Sequence, residues 1–295
     1  MRDLDAWTSS GVALAVLGHP IKHSISPAMH NAALAEMAQR EPRFSDWSYH
    51  RFDVPPDQLG VALAKLHERR FLGLNLTVPH KVLALPHVVR VDEAAAHAGA
   101  VNTLRWTREG WEGFNTDGDG LEAGVREDLG VSLSGANILL LGAGGAARGA
   151  AVQCLRQGCA SLTIMNRTAA NLQTLLHDLA PLSDRTRLQG RLTSEGAGDL
   201  PAGLLVVNAT SAGLQPDDSL PFDLHTLESP VGIYDMIYNP PQTALLREAA
   251  LLGLNHANGL SMLVHQGARA LAIWSETQPP VAAMQRAAQN ALSPA

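Results

Sequence analysis

Residues 136–168 constrain the fold more than any other part of the chain. The segment begins with Asn137-Ile138-Leu139-Leu140-Leu141, an apolar run too short for a helix of its own that reads as a buried strand. Gly142-Ala143-Gly144-Gly145-Ala146-Ala147-Arg148-Gly149 follows at once. A small-residue helical segment at residues 150–157 is closed by Gly158, and residues 160–165 read as a second strand. Strand, glycine turn, helix and strand in this order form the context that a dinucleotide-binding fingerprint requires. The first glycine permits the tight turn, the second lets the backbone approach a pyrophosphate, and the small Ala147 allows close helix–strand packing. The N-terminus of the helix offers N–H groups and the positive end of its dipole to phosphate.

The end of the second strand points to the cofactor. An NAD site places Asp or Glu about 20 residues past the glycines, where the carboxylate holds the ribose 2′-hydroxyl. This chain reads Asn166-Arg167-Thr168, without a carboxylate. The planar, permanently charged guanidinium of Arg167 suits adenine stacking and a 2′-phosphate, with Asn166 and Thr168 adding hydrogen bonds. Thr168 is also a good N-cap for the next helix, and the two roles are compatible. The pattern favours NADP over NAD.

Composition excludes other classes. A chain of 295 residues is long enough for two domains with sizeable cores. Its 46% hydrophobic and 17% charged content describes an ordinary globular protein. A net charge of -6 without a Lys/Arg cluster gives no footprint for nucleic acid. No apolar run reaches the length of a membrane span, and the acidic residues 1–5 lack the order of a secretory signal. Cys154 and Cys159, the only cysteines, read as core-filling thiols in a reducing compartment. These features predict a cytoplasmic protein with a small-molecule substrate and neither nucleic-acid nor membrane partners; a homodimer is compatible with them.

In chain order, residues 12–17 read as a strand ending at Gly18-His19-Pro20. The loop Ile21-Lys22-His23-Ser24-Ile25-Ser26-Pro27 follows, with Ser26 placed to N-cap a helix to residue 37 and Pro27 at its first position. Ser24 and Ser26 near that helix N-terminus suit a small anion. His19 and His23 have no nearby carboxylate or Cys in sequence, and no metal site is expected. After a strand at 47–53 and a helix at 57–69, alternation in Leu74-Asn75-Leu76-Thr77-Val78 puts Asn75 and Thr77 on one face of a strand. Pro79 starts a helix with Lys81 in its first turn, a charge opposed by the helix dipole and a candidate acid/base group. Residues 92–98 form a small-residue helix ending at Gly99, residues 100–104 a strand, and residues 106–111 a hairpin around Glu109-Gly110. Asp117 is positioned to N-cap a helix to residue 129, and the spacing of a calcium loop is absent there.

Taken together, Ser24-Ile25-Ser26-Pro27, Asn75-Leu76-Thr77-Val78-Pro79-His80-Lys81, Gly99-Ala100-Val101-Asn102-Thr103, Asn115-Thr116-Asp117-Gly118, the Gly142 loop and Asn166-Arg167-Thr168 resemble the shikimate dehydrogenase family. Asn208-Ala209-Thr210-Ser211-Ala212-Gly213, Asp235-Met236-Ile237-Tyr238-Asn239-Pro240 and Gly259-Leu260-Ser261-Met262-Leu263-Val264-His265-Gln266 continue the likeness in family order. The resemblance implies an α/β protein of two domains. An N-terminal α/β substrate domain (residues 1–116) would be completed by C-terminal helices (259–295), with a Rossmann-type NADP-binding domain (117–258) inserted. The implied activity is reversible, NADP-dependent reduction of 3-dehydroshikimate to shikimate, a step toward chorismate and the aromatic amino acids.

By the same likeness, Ser24 and Ser26 hold the substrate carboxylate, Thr77, Asn102 and Gln266 bond its ring oxygens, and Tyr238 lies beside substrate and nicotinamide. Lys81 and Asp117 form the catalytic pair, with proton transfer by Lys81 and orientation by Asp117. Gly142, Ala143, Gly144, Gly145, Ala146, Asn166, Arg167, Thr168, Thr210, Ser211, Met236 and Gly259 hold the cofactor, between domains that close over it. The chain departs from the family in two places. Ala169-Ala170-Asn171 offers no second basic residue for the 2′-phosphate, and Ser26 stands where members that also take quinate tend to carry Thr. The competing readings are a quinate/shikimate dehydrogenase with relaxed NAD/NADP use and a catalytically silent ligand-sensing paralogue.

The rest of the second half reads as a weak strand within 184–194, strands at 204–208 and 231–237, and helices at 242–252, 260–276 and 280–292, with a short return at 256–259.

Overall fold

The computed structural model describes Leu4, Trp7, Thr8, residues 11–215 and residues 217–293. Of the acidic segment at residues 1–5, all but Leu4 lie outside the described residues. The chain divides into two compact units, Met1–Thr116 with Val264–Ala295, and Asp117–Leu263.

The first unit is built on a six-stranded sheet. Its strands are β1 (Ala13–Gly18), β2 (Ser48–Asp53), β3 (Gly73–Leu76), β4 (Val88–Val91), β5 (Thr103–Thr107) and β6 (Gly110–Phe114), in spatial order β2-β1-β3-β5-β6-β4. β1 runs parallel to β2 and β3, while β5 is antiparallel to β3 and β6. β1 lies between β2 and β3 and is buried along its whole length, which is why it reads as an unbroken apolar run rather than an alternating one. Helices α1 (Ser26–Arg40), α2 (Leu59–Glu68), α3 (His80–Leu83) and α4 (Glu93–Ala98) connect these strands. α2 buries Leu59, Ala62, Leu63 and Leu66, a helical stripe that meets Leu17, Phe52, Phe71, Leu74 and Trp111 in the core.

The second unit is a doubly wound sheet. Its helices are α5 (Asp117–Leu129), α6 (Gly145–Arg156), α7 (Ala169–Leu179) and α8 (Ala244–Leu251). Its strands are β7 (Asn137–Leu141), β8 (Ser161–Asn166), β9 (Arg187–Leu192), β10 (Leu204–Asn208), β11 (Gly232–Asp235) and β12 (His256–Asn258). All pairs are parallel, in order β9-β8-β7-β10-β11-β12. Numbered from β7, this is the 3-2-1-4-5-6 order of dinucleotide-binding sheets, with the chain reversing direction between β7 and β10.

The chain then returns to the first unit through α9 (Leu260–Ser275) and α10 (Val281–Leu292). α10 packs on α1. Trp274 on α9 donates its indole N–H to Leu104 O at 2.9 Å, and a Cβ at Gly73 would lie 2.1 Å from that indole nitrogen. The glycine in β3 is therefore what lets the indole sit on the sheet.

Several expectations are corrected. α6 starts at Gly145, not residue 150, because extended Gly144 is its N-cap and the fingerprint glycines run into its first turn. Ile25 rather than Ser26 is the N-cap of α1, so Ser26 is the first helical residue. Asp117 likewise stands inside α5 as its first residue. Thr168 occupies the N-cap of α7 but makes no side-chain cap bond. The short return at 256–259 contains strand β12, and β4 was not foreseen at all.

Candidate active site

In the first unit, the carboxyl ends of β1 and β3 and the start of α1 gather the polar residues. Ser24 Oγ accepts the Ser26 N–H at 3.4 Å and donates to Ser26 Oγ at 3.3 Å, so the two hydroxyls stand together at the first turn of α1. Arg51 on β2 steadies this loop by donating to Lys22 O at 2.5 Å and Ser24 O at 3.2 Å. Two hydroxyls at a helix start with no side-chain cap suit a carboxylate. Thr77 follows β3, and a Cβ at Gly18 would lie 2.5 Å from its methyl and 2.7 Å from Ile21, which puts Thr77 against the serine loop. Asn75 is in β3 and buried, and Thr77 directly follows the strand, its N–H bonding Leu17 O of β1 at 2.9 Å.

Lys81 sits on the single-turn helix α3, too short for a developed dipole. Its carbonyl accepts the Val101 N–H at 2.8 Å, which ties the backbone of Lys81 one residue from Asn102. His80 beside it is buried with Nε2 2.8 Å from Val54 O, and burial lowers its pKa.

Asn102 is the centre of a buried polar network. Its Oδ1 accepts the Thr116 N–H at 2.8 Å and the Thr103 hydroxyl at 3.0 Å. Its Nδ2 lies 3.0 Å from Thr116 Oγ1 and 3.4 Å from Gln266 Oε1 on α9, so Asn102 and Gln266 are brought together. Asn75 Nδ2 donates to Asn102 O at 3.2 Å and Thr103 Oγ1 at 3.1 Å, and Asn75 Oδ1 accepts the Tyr49 hydroxyl at 2.7 Å. The sequence reading missed Tyr49, Thr103, Thr116 and Arg51 as supports of this site; β2 buries Tyr49 and Phe52 without regular alternation, so no period-2 pattern marked the first.

In the second unit, Gly142 leaves β7 with φ +109°, and its built Cβ would lie 3.2 Å from Ala209 O and from the Thr210 methyl. The glycine turn and the 209–213 turn thus meet at the carboxyl ends of β7 and β10, the direction-reversal point where such sheets bind ligands. A Cβ at Gly144 or Gly145 would meet nothing within 4 Å, and α6 has no side-chain cap. Open space before an uncapped helix start fits a pyrophosphate. Arg167 is exposed at the end of β8, while Asn166 Nδ2 donates to Thr168 O at 2.9 Å and stiffens that turn. Ser211 is exposed on the 209–213 turn. Met236 donates its N–H to Asn208 O at 2.9 Å, and a Cβ at Gly259 would lie 2.2 Å from Met236 O, so these two residues are also together. Tyr238 follows on the same segment, half-buried, with its phenol pKa raised by burial.

Comparison with known proteins places the chain among shikimate dehydrogenases and structurally related reductases. Family models match at residues 16–104 (shikimate dehydrogenase substrate binding domain), 125–190 (shikimate / quinate 5-dehydrogenase) and 259–289 (shikimate 5'-dehydrogenase C-terminal domain). The chain is similar to the NADP(+) shikimate dehydrogenase of Symbiobacterium thermophilum, at 41% identity covering 96% of this chain and 95% of the relative. It is similar to the crystal structure of Thermus thermophilus shikimate 5-dehydrogenase in complex with NADP(H) and shikimate, with TM-score 0.83, 35% identity and coverage of 95% and 100%. A Gluconobacter 5-ketofructose reductase shares the fold at TM-score 0.84 and 31% identity, covering 95% of this chain and 99% of that one.

Proposed function

The chain belongs to the shikimate dehydrogenase family, and on that premise we propose that it interconverts 3-dehydroshikimate and shikimate with NADP(H) as cofactor. The observation that carries this reading is the pairing, in one chain, of a Ser24–Ser26 anion cradle beside the Asn102 network with an open glycine turn followed by an exposed Arg167.

When bound, NADPH supplies the hydride. The work of the protein's own residues is binding, orientation and proton supply. Ser24 and Ser26 take the substrate carboxylate, and Thr77, Asn102 and Gln266 bond its ring oxygens. Reduction of a carbonyl builds negative charge on its oxygen, which needs a positioned donor and then a proton. Lys81 supplies both, and Asp117 orients it and bonds the substrate. Lys81 belongs to one unit and Asp117 opens the other. Within the first unit, the Lys81 carbonyl accepts the Val101 N–H and the side chain of the next residue, Asn102, accepts the Thr116 N–H. Tyr238 stands beside the reacting groups. Gly142 to Ala146 receive the pyrophosphate, Asn166, Arg167 and Thr168 the 2′-phosphate, and Thr210, Ser211, Met236 and Gly259 the nicotinamide half.

The test is initial-rate formation of reduced cofactor from shikimate or quinate with NADP+ or NAD+, for wild type and Lys81→Ala. Turnover chiefly with shikimate and NADP+, reduced by about 10²–10⁴ in the variant, is the expected result. Comparable rates with quinate or NAD+ would move the protein to the relaxed branch. Folded protein that binds shikimate and turns over no pairing would sink the enzyme reading.

A further inference from the structure

We propose that Tyr49, acting through Asn75, and Thr103, acting directly, are positioning residues that hold the Asn102 side-chain amide as a hydrogen-bond donor toward a substrate hydroxyl. This rests on the shikimate dehydrogenase reading and adds to it which residues set the polarity of the substrate site.

Two backbone groups decide the orientation of both amides. A peptide N–H can only donate, so the Asn102 prong 2.8 Å from the Thr116 N–H is the oxygen. A peptide carbonyl can only accept, so the Asn75 prong 3.2 Å from Asn102 O is the nitrogen. Asn75 Oδ1 then faces Tyr49 at 2.7 Å, and the phenol donates to it. Burial raises the Tyr49 pKa well above the ordinary value, which keeps that proton in place. His30 stacks parallel on the Tyr49 ring with centroids 4.0 Å apart and fixes its plane.

The direction continues through Thr103. Its hydroxyl has one proton, the Asn75 N–H arrives at 3.1 Å, and the acceptors within reach of that proton are Asn102 Oδ1 at 3.0 Å and Thr116 Oγ1 at 3.3 Å; the shorter contact is the one to Asn102. Donation thus runs one way, from Tyr49 to Asn75 to Thr103 to Asn102. Asn102 Oδ1, with two lone pairs, is faced by the Thr116 N–H, the Thr103 hydroxyl and, at 3.2 Å, the Thr116 hydroxyl, while its Nδ2 also reaches Thr116 Oγ1 at 3.0 Å. What Asn102 turns toward Gln266 is N–H, and what Gln266 presents 3.4 Å away is Oε1. A donor beside an acceptor matches a hydroxyl, which accepts from one and donates to the other; an ether or ketone oxygen at that ring position satisfies only Asn102.

The experiment compares Tyr49→Phe, Thr103→Val and Thr103→Ser with wild type for shikimate KM, NADP+ KM and kcat, with shikimate Kd by calorimetry. Loss of one bond in the relay is expected to raise shikimate KM and Kd about tenfold in Tyr49→Phe and Thr103→Val. NADP+ KM should stay within about twofold, and Thr103→Ser should recover most of the loss. Folded Tyr49→Phe and Thr103→Val with shikimate KM near wild type overturn the relay. Equal rises in both KM values, or no recovery with Ser, also overturn it, because they mark general structural damage. Wild type that fails to turn over shikimate would instead remove the functional reading, and the relay with it.

Discussion

Asn208 donates its side-chain N–H to Asp235 Oδ1 at 3.0 Å, joining the carboxyl ends of the neighbouring strands β10 and β11. Both residues are fully buried. Asp235 Oδ1 also accepts the Ile237 N–H at 3.1 Å, and its Oδ2 accepts the Thr243 hydroxyl at 2.6 Å. Thr243 in turn caps α8 by accepting the Leu246 N–H. Asn208 Oδ1 accepts the Thr210 N–H at 3.1 Å and hydroxyl at 2.7 Å. One buried carboxyl therefore reaches the 209–213 turn, the 236–237 segment and a helix start. Burial raises its pKa, against the lowering effect of its three hydrogen bonds.

Asp235→Ala leaves Asn208 and Thr243 without their buried acceptor, an expected loss of roughly 2–4 kcal/mol in stability. Because Thr210 and Met236 lose their anchor, NADP+ KM should rise more than shikimate KM. Urea unfolding and initial rates check both parts; equal rises in the two KM values would show that the network does not act on the cofactor side.

Gly144→Ala and Gly142→Ala separate ligand clearance from backbone need. Gly144 has φ -85° and open space at its Cβ position, so Ala there is expected to leave thermal stability unchanged. It should raise NADP+ KM about tenfold or more, since the methyl occupies the space assigned to pyrophosphate. Gly142 has φ +109° and closely packed neighbours, and Ala there should cost about 1–3 kcal/mol by itself. Unchanged NADP+ affinity in Gly144→Ala would contradict phosphate binding at this turn.

The sheet of the second unit was legible because its central strands carry their own signal. β7 and β10 are short apolar runs beside glycine or small-residue turns, and burial on both faces is what writes such runs. β4 and β12 carry no such signal. Val88–Val91 is exposed at two of its four positions and His256–Asn258 is only half-buried, so each is a strand because β6 or β11 offers an edge to pair with. The site divides in the same way. The Gly142 turn is a local motif, whereas the Asn102 network joins five separate stretches of chain, and no local pattern could have named Tyr49 as a partner of Asn75.

Arg167→Ala tests cofactor selection. Arg167 is exposed at the end of β8, in the position where an NAD site carries a carboxylate, and Ala169-Ala170-Asn171 provides no second cation. Removing a charged partner of a phosphate is expected to raise NADP+ KM about ten- to one-hundredfold, while NAD+ KM stays within about twofold. A parallel rise for both cofactors would assign Arg167 to adenine stacking rather than to the 2′-phosphate.

His30 gives the first unit an acid limb of its own. It lies one turn after Ser26, fully buried, and burial lowers its pKa from 6.5 to about 3. Between those values the unfolded chain holds a proton there and the folded protein does not. Its effect on stability is therefore flat above pH 6.5 and becomes unfavourable as pH falls below 6.5, ending near pH 3. At pH 5.5 the loss from this one group is on the order of 1 kcal/mol. All five tryptophans, Trp7, Trp47, Trp106, Trp111 and Trp274, belong to the same unit as His30, so their fluorescence follows its unfolding selectively. His30→Leu will lose packing against Tyr49 at every pH, which shifts the whole curve down. The discriminating quantity is the difference between pH 7.5 and pH 5.5, expected to be smaller in the variant by roughly 1 kcal/mol. Parallel curves for the two proteins would mean that His30 takes up its proton in the folded state.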